Sequence, residues 1–407
     1  MRVPASKSVA NRELVLSALA DGVSQLDFGP LDPGDDVRAM REALGALGYD
    51  VRDGGDGRLR IAGGEARPPA GPAVLEAHEG GTVARFGIAL AAVGARTTVV
   101  DGSARMRERP LAPLLRALRE LGATVEGDRL PITVRGPLAG GSVTVPGNES
   151  SQFASALLLA APRMANGLEL RLAGATVSAP FIELTLAALA ARGVRVERPA
   201  PGVFRVARQR VRARSLRVPG DVTAATYPAA AAAILGGELS ISNADARLAV
   251  GAQGDARFFA LLEAMGCRVR RGNGSITVSR VGTLAGIAAD VGDCSDTFPT
   301  LAAIAACAAT PTELSGIGHT RKQESDRVSA VAAALRALGG RVTEFADALR
   351  IEPAPLHGGV VPSAGDHRIA MAFATLGLAV PGVAIDGAEC VAKTFPEFYE
   401  LLDRLVR

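Results

Sequence analysis

Lysine is almost missing from this chain. Only Lys7, Lys322 and Lys393 occur among 407 residues, against 42 arginines. In such a composition a lysine is a poor candidate for a generic solvated surface charge, so all three are candidate functional residues. Cysteine is scarce too. Cys267, Cys294, Cys307 and Cys390 show no CxxC spacing and all lie in the second half. That pattern argues against a zinc site or a disulfide frame and for reduced thiols in a cytosolic protein. Long apolar runs are lacking, since stretches such as 227–235 fall far short of the ~20 residues that cross a bilayer. No charged leader followed by an apolar run opens the chain, so no signal peptide is expected. A net charge of +3 excludes a polybasic nucleic-acid binder and a charged disordered tail. What remains is a globular chain, 48% hydrophobic and 21% charged, long enough for two or three domains.

The chain repeats itself six times. A strand-like segment recurs as SQLDFG (24–29), TTVVDG (97–102), LELRLAG (168–174), ELSISNA (238–244), TELSGI (312–317) and VAIDGA (383–388). A helix end written L-G-x-x-V, or a close variant, recurs at Gly48, Gly122, Gly193, Gly266 and Gly339. A polar Ser/Gly/Asp turn feeding an Ala/Leu-rich helix recurs as well, from PASKSVANR to AGDHRIAMAF. Alternating short strands and helices predict α/β units. One such unit cannot bury its own face, so copies must pack together, three or six to a core. The last copy ends in TFPEFYELLDRLVR, which predicts a helix with a capping box at Thr394 and Glu397. Its apolar stripe is Phe398, Leu401, Leu402 and Leu405. The stretch ARQRVRARSLRVPGD (207–221) marks the midpoint, and three repeats fall on each side.

The start of a helix exposes free backbone N–H groups and the positive end of its dipole, where anions bind. Several of these turns also carry cations: Lys7 and Arg12, Arg85, His367 and Arg368. Any single turn reads equally as a plain N-cap. Six related turns, several of them cationic, point to one shared anionic site.

The motifs SKSVANR (6–12), RMRERP (105–110), SSQF (150–153), QESDR (323–327), DHRIAM (366–371) and AKTFPE (392–397) resemble, in order, those of the EPSP synthase family of enolpyruvyl transferases. The resemblance runs from residue 4 to the C-terminus. It implies an α/β fold of two inverted α/β barrels, each made of three βαβαββ repeats. The boundaries read from the sequence are 5–217 for the N-terminal domain and 218–407 plus 1–4 for the C-terminal one. It also implies transfer of the enolpyruvyl group of phosphoenolpyruvate to the 5-hydroxyl of 3-phosphoshikimate, with release of phosphate. Neither metal nor cofactor is implied. The partners are then small molecules only, without nucleic acid or membrane, for a cytoplasmic monomer.

Both substrates are polyanions, so only a dense cationic site offsets their repulsion. By resemblance, Lys7, Ser8, Arg12, Ser150, Ser151, Gln152 and Ser178 hold 3-phosphoshikimate, joined by Asp296, His319 and Gln323. Phosphoenolpyruvate falls to Lys7, Gly81, Arg109, Gln152, Arg327, Arg368 and Lys393. Arginine suits bidentate contacts with carboxylate and phosphate, whereas lysine also exchanges a proton. Asp296 and Glu324 are the candidate carboxylates for proton transfer, with Lys7 and Lys393 as their partners. Asp296 also reads as a helix N-cap, and Glu324 as a first-turn carboxylate favoured by the helix dipole.

The chain departs from the family pattern at several positions. Glu79 stands where asparagine is usual, and like charge near an incoming phosphate repels; Arg85 or Arg107 is the expected neutraliser. Phe181 replaces a tyrosine, His319 an asparagine and Gln323 a phosphate-binding lysine, with Lys322 one position earlier. Only six residues precede Lys7, which leaves an edge of the C-terminal domain expected to lack a strand partner. Two rival readings remain. One is the enolpyruvyl transferase that acts on UDP-N-acetylglucosamine, although GSARMRERP (102–110) lacks the reactive cysteine that its loop uses. The other is a non-catalytic anion-binding homologue, although Lys7, Asp296, Glu324 and Lys393 are all present.

Overall fold

The computed structural model describes residues 1–64, 71–244 and 253–406. They form a mixed α/β fold of two compact units, one of Ser6–Val218 and one of Met1–Ala5 with Pro219–Arg407. No described helix is long and apolar enough to cross a membrane.

In the Ser6–Val218 unit each repeat builds the same four-stranded sheet. The first aligns Ser215–Arg217, Val23–Asp27, Arg58–Ala62 and Asp50–Gly55; its first pair is parallel and the rest antiparallel. The second runs Ala73–Glu76, Thr98–Asp101, Ile132–Arg135, Thr124–Glu126. The third runs Gly141–Pro146, Leu168–Ala173, Val203–Val206, Glu197–Ala200, again with one parallel pair at its edge. Burial alternates along these strands, as in Arg58–Ala62, where Leu59 and Ile61 are buried and Arg58 and Arg60 exposed. Such alternation marks a sheet with one face on the core.

The other unit repeats the pattern with Ala288–Asp290, Thr312–Ser315, Ala348–Glu352 and Arg341–Glu344. Its last repeat keeps only the parallel pair Gly359–Pro362 and Val383–Asp386. The sheet of Glu238–Ile241, Ser275–Arg280 and Cys267–Gly272 has three strands among the described residues. Its edge is nonetheless accompanied, contrary to the expectation of a partnerless edge. Met1 donates from its N-terminus to Ser240 O at 2.7 Å, and Ser242 N donates to Met1 O at 2.9 Å. Asn243 clamps Val3 through both its amide atoms, and Ala5 bridges Gly220.

The Ala-rich helices lie innermost. Lys7–Leu19, Gly81–Val93 and Ser151–Ala160 pack on one another in one unit. Val222–Leu235, Phe298–Ala305 and His367–Leu376 do so in the other. Helices apolar on all sides are stable only when enclosed, and alanine lets them approach closely. The recurring glycines end the surrounding helices. Gly48, Gly122, Gly193, Gly266 and Gly339 all take positive φ, between 79° and 100°, a conformation nearly free only for glycine.

The last helix is Phe398–Val406, and Phe398 and Leu402 are buried in the core. The capping box expected at Thr394 and Glu397 does not start it. Thr394 closes the preceding turn Ala388–Lys393, because Pro396 disfavours helical backbone at Phe395.

Candidate active site

The site residues of Ser6–Val218 gather where three buried helices begin. Lys7 is the first residue of its helix, and its Nζ lies 3.0 Å from Asp36 Oδ2. Asp36 sits in the first turn of the helix Asp35–Ala46 and is buried. Asn11, one turn beyond Lys7, donates to Asp36 O at 3.4 Å and to Thr82 Oγ at 2.8 Å.

Arg12 is sunk in the interior at 1% exposure. Its guanidinium donates to Thr185 Oγ (2.8 Å), Phe181 O (2.9 Å), Ser155 Oγ (3.3 Å) and Ser8 O (2.7 Å). It also faces the rings of Phe86 and Phe181 at 5.3 and 6.0 Å. These partners are hydroxyls, carbonyls and rings, so burial pulls the Arg12 pKa down to about 9. A buried cation held by neutral groups gains from an arriving anion. Phe181 thus serves through its carbonyl and its ring. Ser178, three residues earlier, holds a left-handed backbone at φ 51° and accepts from Phe181 N at 3.1 Å.

Gly81 opens the second helix beneath two arginines. A methyl group on its Cα would lie 2.7 Å from Arg85 Nη1 and 2.9 Å from both terminal nitrogens of Arg109. Glycine lets both guanidiniums close over this helix start, and a methyl group would push them aside. Arg85 donates to Gln152 Oε1 at 2.9 Å and to Pro110 O at 2.9 Å. Gln152 stands in the first turn of the third helix, which Ser150 caps by accepting from Gln152 N at 3.3 Å; Ser151 is buried beside it. Glu79 is exposed and precedes the cap residue Gly80, and its carbonyl accepts from Arg109 Nη1 at 3.4 Å. Arg107 is not its neutraliser; it pairs with Asp101 at 2.6 Å.

In the second unit a lattice of charges replaces these isolated contacts. Arg327, 1% exposed, begins the helix Arg327–Ala337. It donates to Asp366 Oδ2 (2.7 Å), Asp296 Oδ1 (2.8 Å) and Glu324 Oε2 (2.8 Å), and to Gln323 Oε1. Arg368 donates to the other Asp296 oxygen at 2.7 Å, and Lys393 to Glu324 Oε1 at 3.4 Å. Burial alone would lower the Arg327 pKa, but Asp366, Glu324 and Asp296 reverse this and hold it well above its ordinary value. Arg368 is raised likewise against burial, with Asp296 the main opposing charge. His319 shares 2.9 Å between Nε2 and Ser295 Oγ, next to Asp296. Burial lowers its pKa, while Asp296 acts the other way.

Each expected site residue therefore lies in one of two clusters. Lys7, Ser8, Arg12, Gly81, Arg109, Ser150, Ser151, Gln152 and Ser178 belong to the first unit. Asp296, His319, Gln323, Glu324, Arg327, Arg368 and Lys393 belong to the second. Sequence reasoning missed Asp36, Asp255 and Asp366, and it named Arg85 only as a cation of its turn and not as the partner of Gln152. Asp366 caps the helix His367–Leu376 while holding Arg327, so its place in DHRIAM carried the signal. Asp255 takes a bond from the Thr223 hydroxyl and is pushed up to about 7, chiefly by burial, with Asp296 adding to it.

Two α/β units built of repeated parallel–antiparallel sheets, with cations at buried helix starts, make up a fold that known enolpyruvyl transferases share. The enolpyruvyl transferase NikO from Streptomyces tendae shares this fold, with a TM-score of 0.76 at 19% identity over 100% of this chain and 94% of that one. EPSP synthase from Acinetobacter baumannii aligns with a TM-score of 0.81 at 26% identity, covering 99% and 94%. Residues 1–402 match the family model of EPSP synthase (3-phosphoshikimate 1-carboxyvinyltransferase), and the chain belongs to that family. It is 44% identical to the 3-phosphoshikimate 1-carboxyvinyltransferase of Methanosphaerula palustris over 98% of this chain and 95% of that protein. It is 41% identical to that of Methanoculleus marisnigri, over 98% and 94%.

Proposed function

We propose that this chain is a transferase that moves the enolpyruvyl group of phosphoenolpyruvate to the 5-hydroxyl of 3-phosphoshikimate. The products are 5-enolpyruvylshikimate 3-phosphate and phosphate, on the route to aromatic amino acids. The observation that carries the chemistry is Asp296, a carboxylate held on both oxygens by Arg327 and Arg368, in a chain that matches the family over residues 1–402.

Lys7, Ser8, Arg12, Ser150, Ser151, Gln152 and Ser178 take 3-phosphoshikimate in this reading, with Asp296, His319 and Gln323. Lys7, Gly81, Arg109, Gln152, Arg327, Arg368 and Lys393 take phosphoenolpyruvate. Arg12 supports the first assignment, because its present partners are neutral and a phosphate is the anion its buried charge lacks. Arg109 supports the second, because it lies over the start of the Gly81 helix, whose N–H groups favour anions.

The steps follow from these placements. Asp296 takes the proton of the 5-hydroxyl as its oxygen bonds to C2 of phosphoenolpyruvate, and the methylene carbon C3 gains a proton to become methyl. Glu324 and Lys393, 3.4 Å apart, form a pair between which that proton can pass, with Lys7 the second lysine able to exchange one. The tetrahedral intermediate then loses phosphate from C2 and a proton from C3, which restores the double bond. In the same reading the enzyme works as a cytoplasmic monomer on small molecules, without nucleic acid or membrane.

The test is phosphate release from phosphoenolpyruvate with and without 3-phosphoshikimate. Release that requires 3-phosphoshikimate is expected. Release independent of it, release with UDP-N-acetylglucosamine instead, or none at all overturns the reading.

A further inference from the structure

Arg85 belongs to none of the binding roles given above, yet it is 3% exposed and sits among residues that have them. Its Nη1 donates to Gln152 Oε1 at 2.9 Å and to Gly81 O at 3.2 Å, and its Nη2 to Pro110 O at 2.9 Å. Its guanidinium lies over the Phe153 ring, 5.4 Å from the centroid. The planar fork therefore ties together the first turn of one helix, the first turn of another and the residue next to Arg109.

We infer that Arg85 is a positioning residue that fixes which way the Gln152 carboxamide faces and anchors the backbone behind Arg109. A guanidinium carries donors only, so the Gln152 atom facing it has to be the oxygen. The amide nitrogen is then turned away from Arg85 and presents its two hydrogens. An anion needs those hydrogens; a flipped amide would offer it an oxygen and repel it. Pro110 O extends the same control to Arg109, since holding that carbonyl restrains the chain segment from which the Arg109 side chain springs. Lysine cannot replace this arrangement, because a point charge on a flexible stem does not span two acceptors in one plane. The inference rests on the function proposed above, where Gln152 and Arg109 contact phosphoenolpyruvate.

The experiment is a double-mutant cycle on the full chain with Arg85→Met, Gln152→Leu and both together. It is read as the KM for phosphoenolpyruvate beside kcat and thermal unfolding. Each single change should raise that KM by about 10-fold or more, within the range seen for contacting residues. The double variant should fall clearly short of the product of the two single effects, because Arg85 acts in part through the residue already removed and only the remainder passes through Pro110 and Arg109. Effects that multiply overturn the inference, as does a loss confined to kcat and melting temperature. Arg85→Lys enters the same cycle as the variant that retains charge in the fold, and a wild-type KM for it also overturns the inference. A second readout needs no turnover: the side-chain amide NMR signals of Gln152, assigned by their loss in Gln152→Leu. They should shift or broaden in Arg85→Lys, and unchanged signals count against the role. If the wild type fails to turn over 3-phosphoshikimate, the proposed function falls while this readout still decides the Arg85–Gln152 relationship.

Discussion

Arg368 Nη2 donates to Asp296 Oδ2 at 2.7 Å, and so one of the proposed phosphoenolpyruvate ligands is bound to the proposed base. Arg327 holds the other oxygen. Two guanidiniums thus occupy both oxygens of one carboxylate. In the proposed reading, an anionic substrate that draws either arginine away frees an Asp296 oxygen for the 5-hydroxyl, so substrate arrival and exposure of the base are coupled.

Asp296→Asn tests that coupling. The amide still accepts from an arginine but cannot take the hydroxyl proton, so kcat should fall by ~10²–10⁴-fold. The KM for phosphoenolpyruvate should stay level or fall, since one competing charge is gone. Steady-state kinetics decide this; an unchanged kcat would make Asp296 a counter-ion only.

Gly81→Ala should impair phosphoenolpyruvate binding with little loss of stability. The new methyl group meets the far ends of Arg85 and Arg109 at 2.7–2.9 Å, flexible groups that can move aside. Moving them misplaces the contacts for the anion, and displacements of about 1 Å cost up to ~10²-fold in rate. A raised KM beside an unchanged melting temperature is expected. A wild-type KM would show that the two arginines do not set the anion's position.

Two groups of the second unit, the half-buried His319 and the buried Asp255, give opposite pH slopes to stability. His319 is held below its ordinary 6.5 by burial, so below about that pH the unfolded chain binds the proton more readily. Its contribution is present above 6.5 and is lost as pH falls toward the lowered value. Asp255, pushed up from 3.8 to about 7, keeps its proton in the native state across that interval and loses stability as pH rises through it. Urea midpoints between pH 5 and 8 should therefore lose the acid-side decline in His319→Asn and the alkaline-side decline in Asp255→Asn. Parallel curves for wild type and both variants would refute the assignment.

In the first unit Arg192 donates to Glu13 Oε2 at 2.7 and 2.9 Å and to Ser17 Oγ at 2.8 Å, with both charged residues buried. Arg192→Met strands the Glu13 carboxylate, with Arg214 at 3.9 Å the remaining cation paired with it among the described residues, and should cost ~3–5 kcal/mol in urea unfolding. Glu13→Leu combined with Arg192→Met should recover much of that loss, because no lone charge is then buried. Additive losses would contradict this account.

The repeats, the strand patterns and the helix-ending glycines were legible in the sequence because each is written in local signals. Alternation of period two marks a half-buried strand, and a glycine after a helix supplies the positive φ its end requires. Lys7 and Lys393 were legible for another reason, their rarity. Asp36 was not, and Arg85 was legible as a cation but not as the partner of Gln152. A carboxylate in a first helical turn, or an arginine in a second, looks the same in sequence whether it faces solvent or a buried partner.

The sequence by itself thus determined the class of fold and the types of charge available to the site. Only the tertiary structure decided which charge answers which. Arg327 meets Asp296 from 31 residues away and Asp366 from 39, while Gln152 meets Arg85 from 67. No local preference selects such partners. They are selected because packing the Ala-rich helices together brings their charged first turns side by side, away from water. There an unpaired charge is too costly to leave uncompensated.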